Sequence, residues 1–114
     1  MITVENIDNN MIANNLQPST PIHPGEIIKD EMEFRGITQR QLAQQLELSP
    51  SLLNEILNAK RRVSTEYALL FEAALGIDAE LWIRLQTQYD LQMAKSNTNF
   101  VERLNKIRKI AAVL

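Results

Sequence analysis

The stretch TQRQLAQQLELSPSLLNEILN, from Thr38 to Asn58, decides the fold. Thr38 is a helix N-cap residue whose hydroxyl can accept from an exposed backbone N–H, and Gln41, three residues on, can reach back to it in a capping box. Leu42, Ala43 and Leu46 then give the helix one apolar side. Beyond Glu47 and Leu48, Ser49 is a second cap and Pro50 a favoured first-turn residue, so the next helix is predicted over 50–58. Only about three residues join the two helices. Such a pair has the geometry in which one helix lies across a phosphate backbone and the next enters the major groove.

The residue types on the second helix agree with that reading. At about 100° per residue, Leu53, Ile56 and Leu57 fall in one arc, and Ser51, Asn54, Glu55 and Asn58 in another. The first arc packs and the second can read. Asn pairs with the N6 donor and N7 acceptor of adenine, Ser with either kind of base edge, and Glu can accept from cytosine N4, which makes Asn54 the leading specificity residue. Affinity must come from phosphate neutralisation, for which Lys60, Arg61 and Arg62 follow directly, with Gln39 and Arg40 on the other side. Ser49 and Pro50, which open the reading helix and its exposed N–H groups, complete the expected DNA-binding set. So few cations per chain imply weak binding by one subunit. Two subunits on half-sites roughly 34 Å apart are the natural remedy, and a homodimer is expected.

Outward from this stretch the pattern stays helical. A first helix is predicted from Pro24, with Ile27, Ile28, Met32 and Phe34 as apolar positions and Gly36 as its stop. Ser64 caps a helix carrying Tyr67, Leu70, Phe71 and Ala74 up to Gly76, and Asp78 caps another carrying Leu81, Trp82, Leu85 and Tyr89. A last helix follows 96–99, with Val101, Leu104, Ile107 and Ala111 opposite Arg103 and Lys106. No run alternates as a strand would, so the class is all-α. Residues 1–23, rich in Asn with Pro18 and Pro21, are expected to form a flexible tail, 24–95 the helix-turn-helix domain, and 96–114 a basic C-terminal helix. Leu81, Trp82, Leu85 and Tyr89 are core residues or candidates for a dimer or partner surface, since the reading helix must stay free.

Composition narrows the function classes. The chain has 114 residues, 45% hydrophobic and 23% charged, with no Cys and one His, His23. That suits one compact domain. It removes thiolate nucleophiles, disulfides and multi-histidine metal centres. His23 ahead of Pro24 reads as a turn residue. Asp30, Glu31 and Glu33 splay around their helix as a solvated face, so no metal or cofactor is expected. A hydrolase built on Glu31 and Glu55 would need them in one pocket, whereas they fall on different helices. No apolar run approaches the ~20 residues of a membrane span, and no signal peptide is visible, which points to a cytoplasmic protein without membrane contact. The net charge of −2 hides a pattern: 36–64 carries +2, 65–93 carries −4 and 94–114 carries +4. Two basic regions flank an acidic one.

The run Thr38 to Ser49 with Leu53 and Ile56 resembles the helix-turn-helix of the Cro and phage-repressor-like (XRE) family. More narrowly, His23-Pro24-Gly25-Glu26-Ile27-Ile28, Leu57-Asn58-Ala59-Lys60-Arg61, Leu81-Trp82-Ile83-Arg84-Leu85-Gln86 and Tyr89-Asp90-Leu91 are similar to HigA-type antitoxins, also called virulence-associated protein I. The resemblance covers residues 22 to about 95. It implies a five- to six-helix lambda-repressor-like domain, a dimer that binds a palindromic operator and represses its own operon, and a HigB-type mRNA-cleaving toxin as partner. A stand-alone phage-type repressor without a toxin is the alternative. Two positions where the family commonly has glycine hold Glu47 and Ala59. At Glu47 a side chain in a left-handed turn costs on the order of 1 kcal/mol, so that turn is open to a different build, and Ala59 bears on where Lys60 to Arg62 are placed.

Overall fold

The computed structural model describes residues 21–114, so the tail expected over the first 23 residues lies almost wholly outside the described part. Six helices follow in order: α1 (Pro24–Arg35), α2 (Gln39–Leu46), α3 (Pro50–Leu57), α4 (Thr65–Leu75), α5 (Ala79–Lys95) and α6 (Thr98–Ala112). Among the described residues there is no strand, and no helix is long and apolar enough to cross a membrane.

The caps form as the residue types require. Thr38 Oγ1 accepts from Gln41 N at 3.1 Å while Gln41 Oε1 accepts from Thr38 N at 2.9 Å, a reciprocal capping box. Ser49 Oγ accepts from Leu52 N at 3.1 Å, Ser64 Oγ from Tyr67 N at 3.2 Å and Asp78 Oδ1 from Glu80 N at 3.2 Å. Asn97 caps α6, which begins at Thr98, inside the turn that the sequence pattern suggested. Helix α3 ends at Leu57, and Asn58 is its C-cap.

Three helices end in the same hydrogen-bonded turn, in which consecutive N–H groups fold back onto carbonyls of the last helical turn through a left-handed residue. After α1 that residue is Gly36, at φ 71°, with Ile37 N bonded to Met32 O. After α2 it is Glu47, at φ 58°, with Leu48 N bonded to Ala43 O at 3.0 Å. After α3 it is Ala59, at φ 63°, with Lys60 N bonded to Glu55 O at 2.8 Å. The backbone therefore keeps the glycine geometry where the sequence has side chains, and tertiary packing sustains the strain.

The core joins Ile28 and Met32 of α1, Leu42, Ala43 and Leu46 of α2, Leu53, Ile56 and Leu57 of α3, Phe71 and Leu75 of α4, and Trp82 of α5. Phe71 and Trp82 meet edge to face, centroids 6.4 Å apart. Gly25 sits where α1 crosses the end of α3: a Cβ there would stand 2.0 Å from Ile56 O, so even one methyl group has no room. Arg35 Nη2 donates to Leu75 O at 2.7 Å, fastening the end of α1 to a terminal carbonyl of α4.

Two expectations change. Phe34, read as an apolar position facing the core, is 87% exposed, because the side of α1 that packs is the one bearing Pro24, Ile28 and Met32. His23, read as a turn residue and the last of the tail, is buried and caps α1 through Nδ1, which accepts from Gly25 N at 2.9 Å. Helix α6 packs on α5 and buries no residue.

The strained turn after α2 gives a direct test. Replacing Glu47 with glycine removes the left-handed penalty without touching a contact in the core, so Glu47→Gly is expected to raise the unfolding free energy by about 0.5–1 kcal/mol. Urea denaturation checks it, and an unchanged or lower midpoint contradicts it.

Candidate nucleic-acid interface

Helix α3 presents one side to the core and the other to solvent. Leu53, Ile56 and Leu57 are buried, while Ser51, Asn54 and Asn58 are exposed and Glu55 is half-buried. Pro50, Ser51, Asn54, Glu55 and Lys60 line one open concavity, which brings Ser51, Asn54 and Glu55 of the expected reading set and the cation of Lys60 to a single surface.

The N-terminus of α2 joins this surface. Gln39 Nε2 donates to Pro50 O at 3.4 Å and its Oε1 accepts from Asn54 Nδ2 at 3.5 Å, two long bonds that span the turn between the helices. Contacts this weak and exposed leave both amides available to another partner. Arg40 and Lys60 are exposed and pair with no carboxylate among the described residues.

Other members of the expected set are engaged within the chain. Asn58 Nδ2 donates to Asn54 O at 2.9 Å, and its Oδ1 accepts from Lys29 Nζ at 3.2 Å. It thus finishes the last turn of α3 and ties it to α1, rather than standing free toward a base. Arg61 pairs with Glu55, Nε to Oε1 at 2.9 Å and Nη2 to Oε1 at 2.8 Å. Arg62 Nη2 pairs with Asp90 Oδ2 of α5 at 2.5 Å. Both ion pairs are solvent-exposed, where such pairs are worth about 0–1 kcal/mol and can be exchanged for a phosphate.

Lys29 was visible in the sequence only as one charge among acidic neighbours; its place beside Asn58 is a contact across 29 residues that no local pattern encodes. The second surface, on α5, divides. Trp82 is 0% exposed inside the chain's own core and offers no side chain to a second copy. Leu81 and Leu85 are half-buried. Tyr89, also half-buried, meets the His23 ring edge to face at 4.9 Å.

His23 links α1 to the basic loop. Its burial holds the imidazole below its ordinary value, against the opposing pull of the Glu26 and Asp90 carboxylates and a hydrogen bond with the Arg61 backbone. Nδ1 accepts from Gly25 N, a role only the unprotonated ring can fill.

Comparison with known proteins matches residues 28–82 to the Helix-turn-helix family. Virulence-associated protein I of Dichelobacter nodosus is 40% identical over 77 residues, 67% of this chain and 71% of that protein. Among solved structures, an addiction module antidote protein of a HigA family from Coxiella burnetii is 33% identical at a TM-score of 0.69, covering 76% of this chain and 94% of that one. The Pseudomonas aeruginosa antitoxin HigA, solved with the higBA promoter, is 33% identical at a TM-score of 0.66, covering 73% of this chain and 92% of that one.

The depressed His23 fixes the sign of a pH effect. A folded-state value below the unfolded ~6.5 contributes stability that is complete above that pH and is lost as pH falls through the folded value. Urea midpoints are expected to drop from pH 7.5 to 5.5 in the native chain, and to drop less in His23→Asn, whose amide can still cap α1. Equal drops in the two proteins contradict this role for His23.

Proposed function

This chain belongs to the XRE-type helix-turn-helix family whose members include virulence-associated protein I and the HigA antitoxins, and on that premise we propose that it is a dimeric, sequence-specific DNA-binding antitoxin. It is a binding protein, not an enzyme. It represses its own operon by occupying an operator and neutralises an mRNA-cleaving toxin of the HigB type encoded beside it. The observation that carries the DNA reading is the exposed side of α3, where Ser51 and Asn54 share one concavity with Lys60.

The division of labour follows from chemistry. Asn54 reads an adenine edge in the major groove, and Ser51 contributes a hydroxyl at the first turn. Gln39, Arg40, Lys60 and Lys29 meet phosphates around it, with Arg61 joining by exchanging its carboxylate for phosphate and Arg62 reaching a phosphate from its place beside Asp90. Ser49 and Pro50 place the N-terminus of α3 at the groove. Glu55 serves as the counter-ion of Arg61 in the free protein and Asn58 as the terminator of α3, so neither is a primary reader.

Few cations per subunit leave a single domain short of affinity, and two copies on adjacent half-sites supply the rest. Leu81 and Leu85, on α5 away from the reading helix, are the residues through which the copies meet. The P. aeruginosa HigA solved with its promoter supports operator binding by a chain of this fold.

Selection from randomised duplexes tests the reading role. Asn54→Ala is expected to keep its fold and lose preference at one base pair in each half-site, a discrimination of about 1–3 kcal/mol. Selection of the same sequence by both proteins contradicts it. Co-expression with the adjacent reading frame tests the toxin half: the product is expected to co-purify and to lose its mRNA cleavage, and an adjacent product that ignores the chain points to a stand-alone repressor.

A further inference from the structure

We infer that Gln86 and Asp90 of α5 are positioning residues for the DNA contacts of the basic loop over 60–63, an inference that rests on the operator-binding reading above. The loop leaves α3 through the left-handed Ala59 and has no helical bonds of its own until Ser64 caps α4. Cations on such a segment would ordinarily sample many placements.

Polar side chains of α5 remove that freedom. Gln86 is 2% exposed, and both ends of its amide are used: Oε1 accepts from Val63 N at 2.7 Å, and Nε2 donates to Asp90 Oδ1 at 2.9 Å. Asp90 Oδ2 in turn holds Arg62 Nη2 at 2.5 Å. Trp82, Gln86 and Asp90 recur at four-residue spacing on α5, so one helical row runs from the core, through a buried amide, to a surface carboxylate. The backbone of the loop is thus fixed at Val63 and its side chain at Arg62, by residues far from the reading helix in sequence.

The outer pair has 63% and 42% of its side-chain surfaces exposed, so it adds little to stability. Its effect is on recognition. A carboxylate beside phosphate-facing cations opposes DNA binding of any sequence, because that binding is largely electrostatic. The same carboxylate aims a guanidinium at one place, which helps only where the phosphates stand in the operator's register. Asp90 therefore acts with opposite sign on the two kinds of DNA. It weakens non-specific binding and sharpens specific binding.

The test is Asp90→Asn in the full chain, which keeps a carbonyl oxygen for Gln86 but removes the ion pair with Arg62. Competition titrations against duplex from the chain's own upstream region and against scrambled duplex, at one salt concentration, give the specificity ratio. The ratio is expected to fall about tenfold, with binding to scrambled duplex unchanged or tighter and the thermal midpoint unchanged. Arg62→Ala is expected to lower the ratio similarly, and the double variant no further. A native protein that discriminates while Asp90→Asn keeps its ratio, or changes both duplexes by one factor, overturns the positioning role alone. A native protein that does not discriminate overturns the operator reading and this inference together.

Discussion

Helix α3 is eight residues long and must serve two surfaces at once, and the domain is organised by that constraint. Leu53, Ile56 and Leu57 have to be buried for so short a helix to exist at all, since isolated helices of this length are not stable in water. Their burial against α1 and α2 fixes the rotation of α3, and the opposite residues, Ser51 and Asn54, face outward as a consequence. The reading surface is therefore held by the core. A cavity under Leu53 or Ile56 would disturb recognition as well as stability.

The ends of α3 are settled by different means. Ser49 and Pro50 set its start through local chemistry that costs nothing elsewhere. Its approach from α2 and its exit toward the basic loop both pass through left-handed residues that are not glycine, Glu47 and Ala59. Each is a strained point kept because the hydrogen bonds and packing on both sides agree on it. Beyond Ala59 the loop is held by contacts distant in sequence: His23 from the start of α1, and Gln86 and Asp90 from α5. The cations of the loop and the groups that hold it thus belong to different elements.

Much of this was legible from residue types alone. Capping chemistry and apolar spacing located the tight pair of helices and the outward row on α3, because those signals act within one or two turns. The turn at Glu47 was legible through the family resemblance, which has glycine there, and the backbone adopts the left-handed geometry without it, as it also does at Ala59. What local pattern could not give were contacts across the fold. The outward turn of Phe34 depends on which side of α1 meets α3. The burial of His23 depends on Tyr89, the engagement of Asn58 depends on Lys29, and the pairing of Arg62 depends on Asp90. The complete burial of Trp82 is of the same kind, since its spacing is equally that of a core residue and of an interface residue.

In the function proposed above, a surface built by α3 and its flanking cations recognises one DNA sequence. The most direct measurement is a fluorescence-anisotropy titration of the full chain with duplex from its own upstream region and with scrambled duplex, each at two salt concentrations. Tighter binding to the upstream duplex is expected at both, with affinity for each falling as salt rises. Equal, weak binding to the two duplexes at both salt concentrations would contradict it.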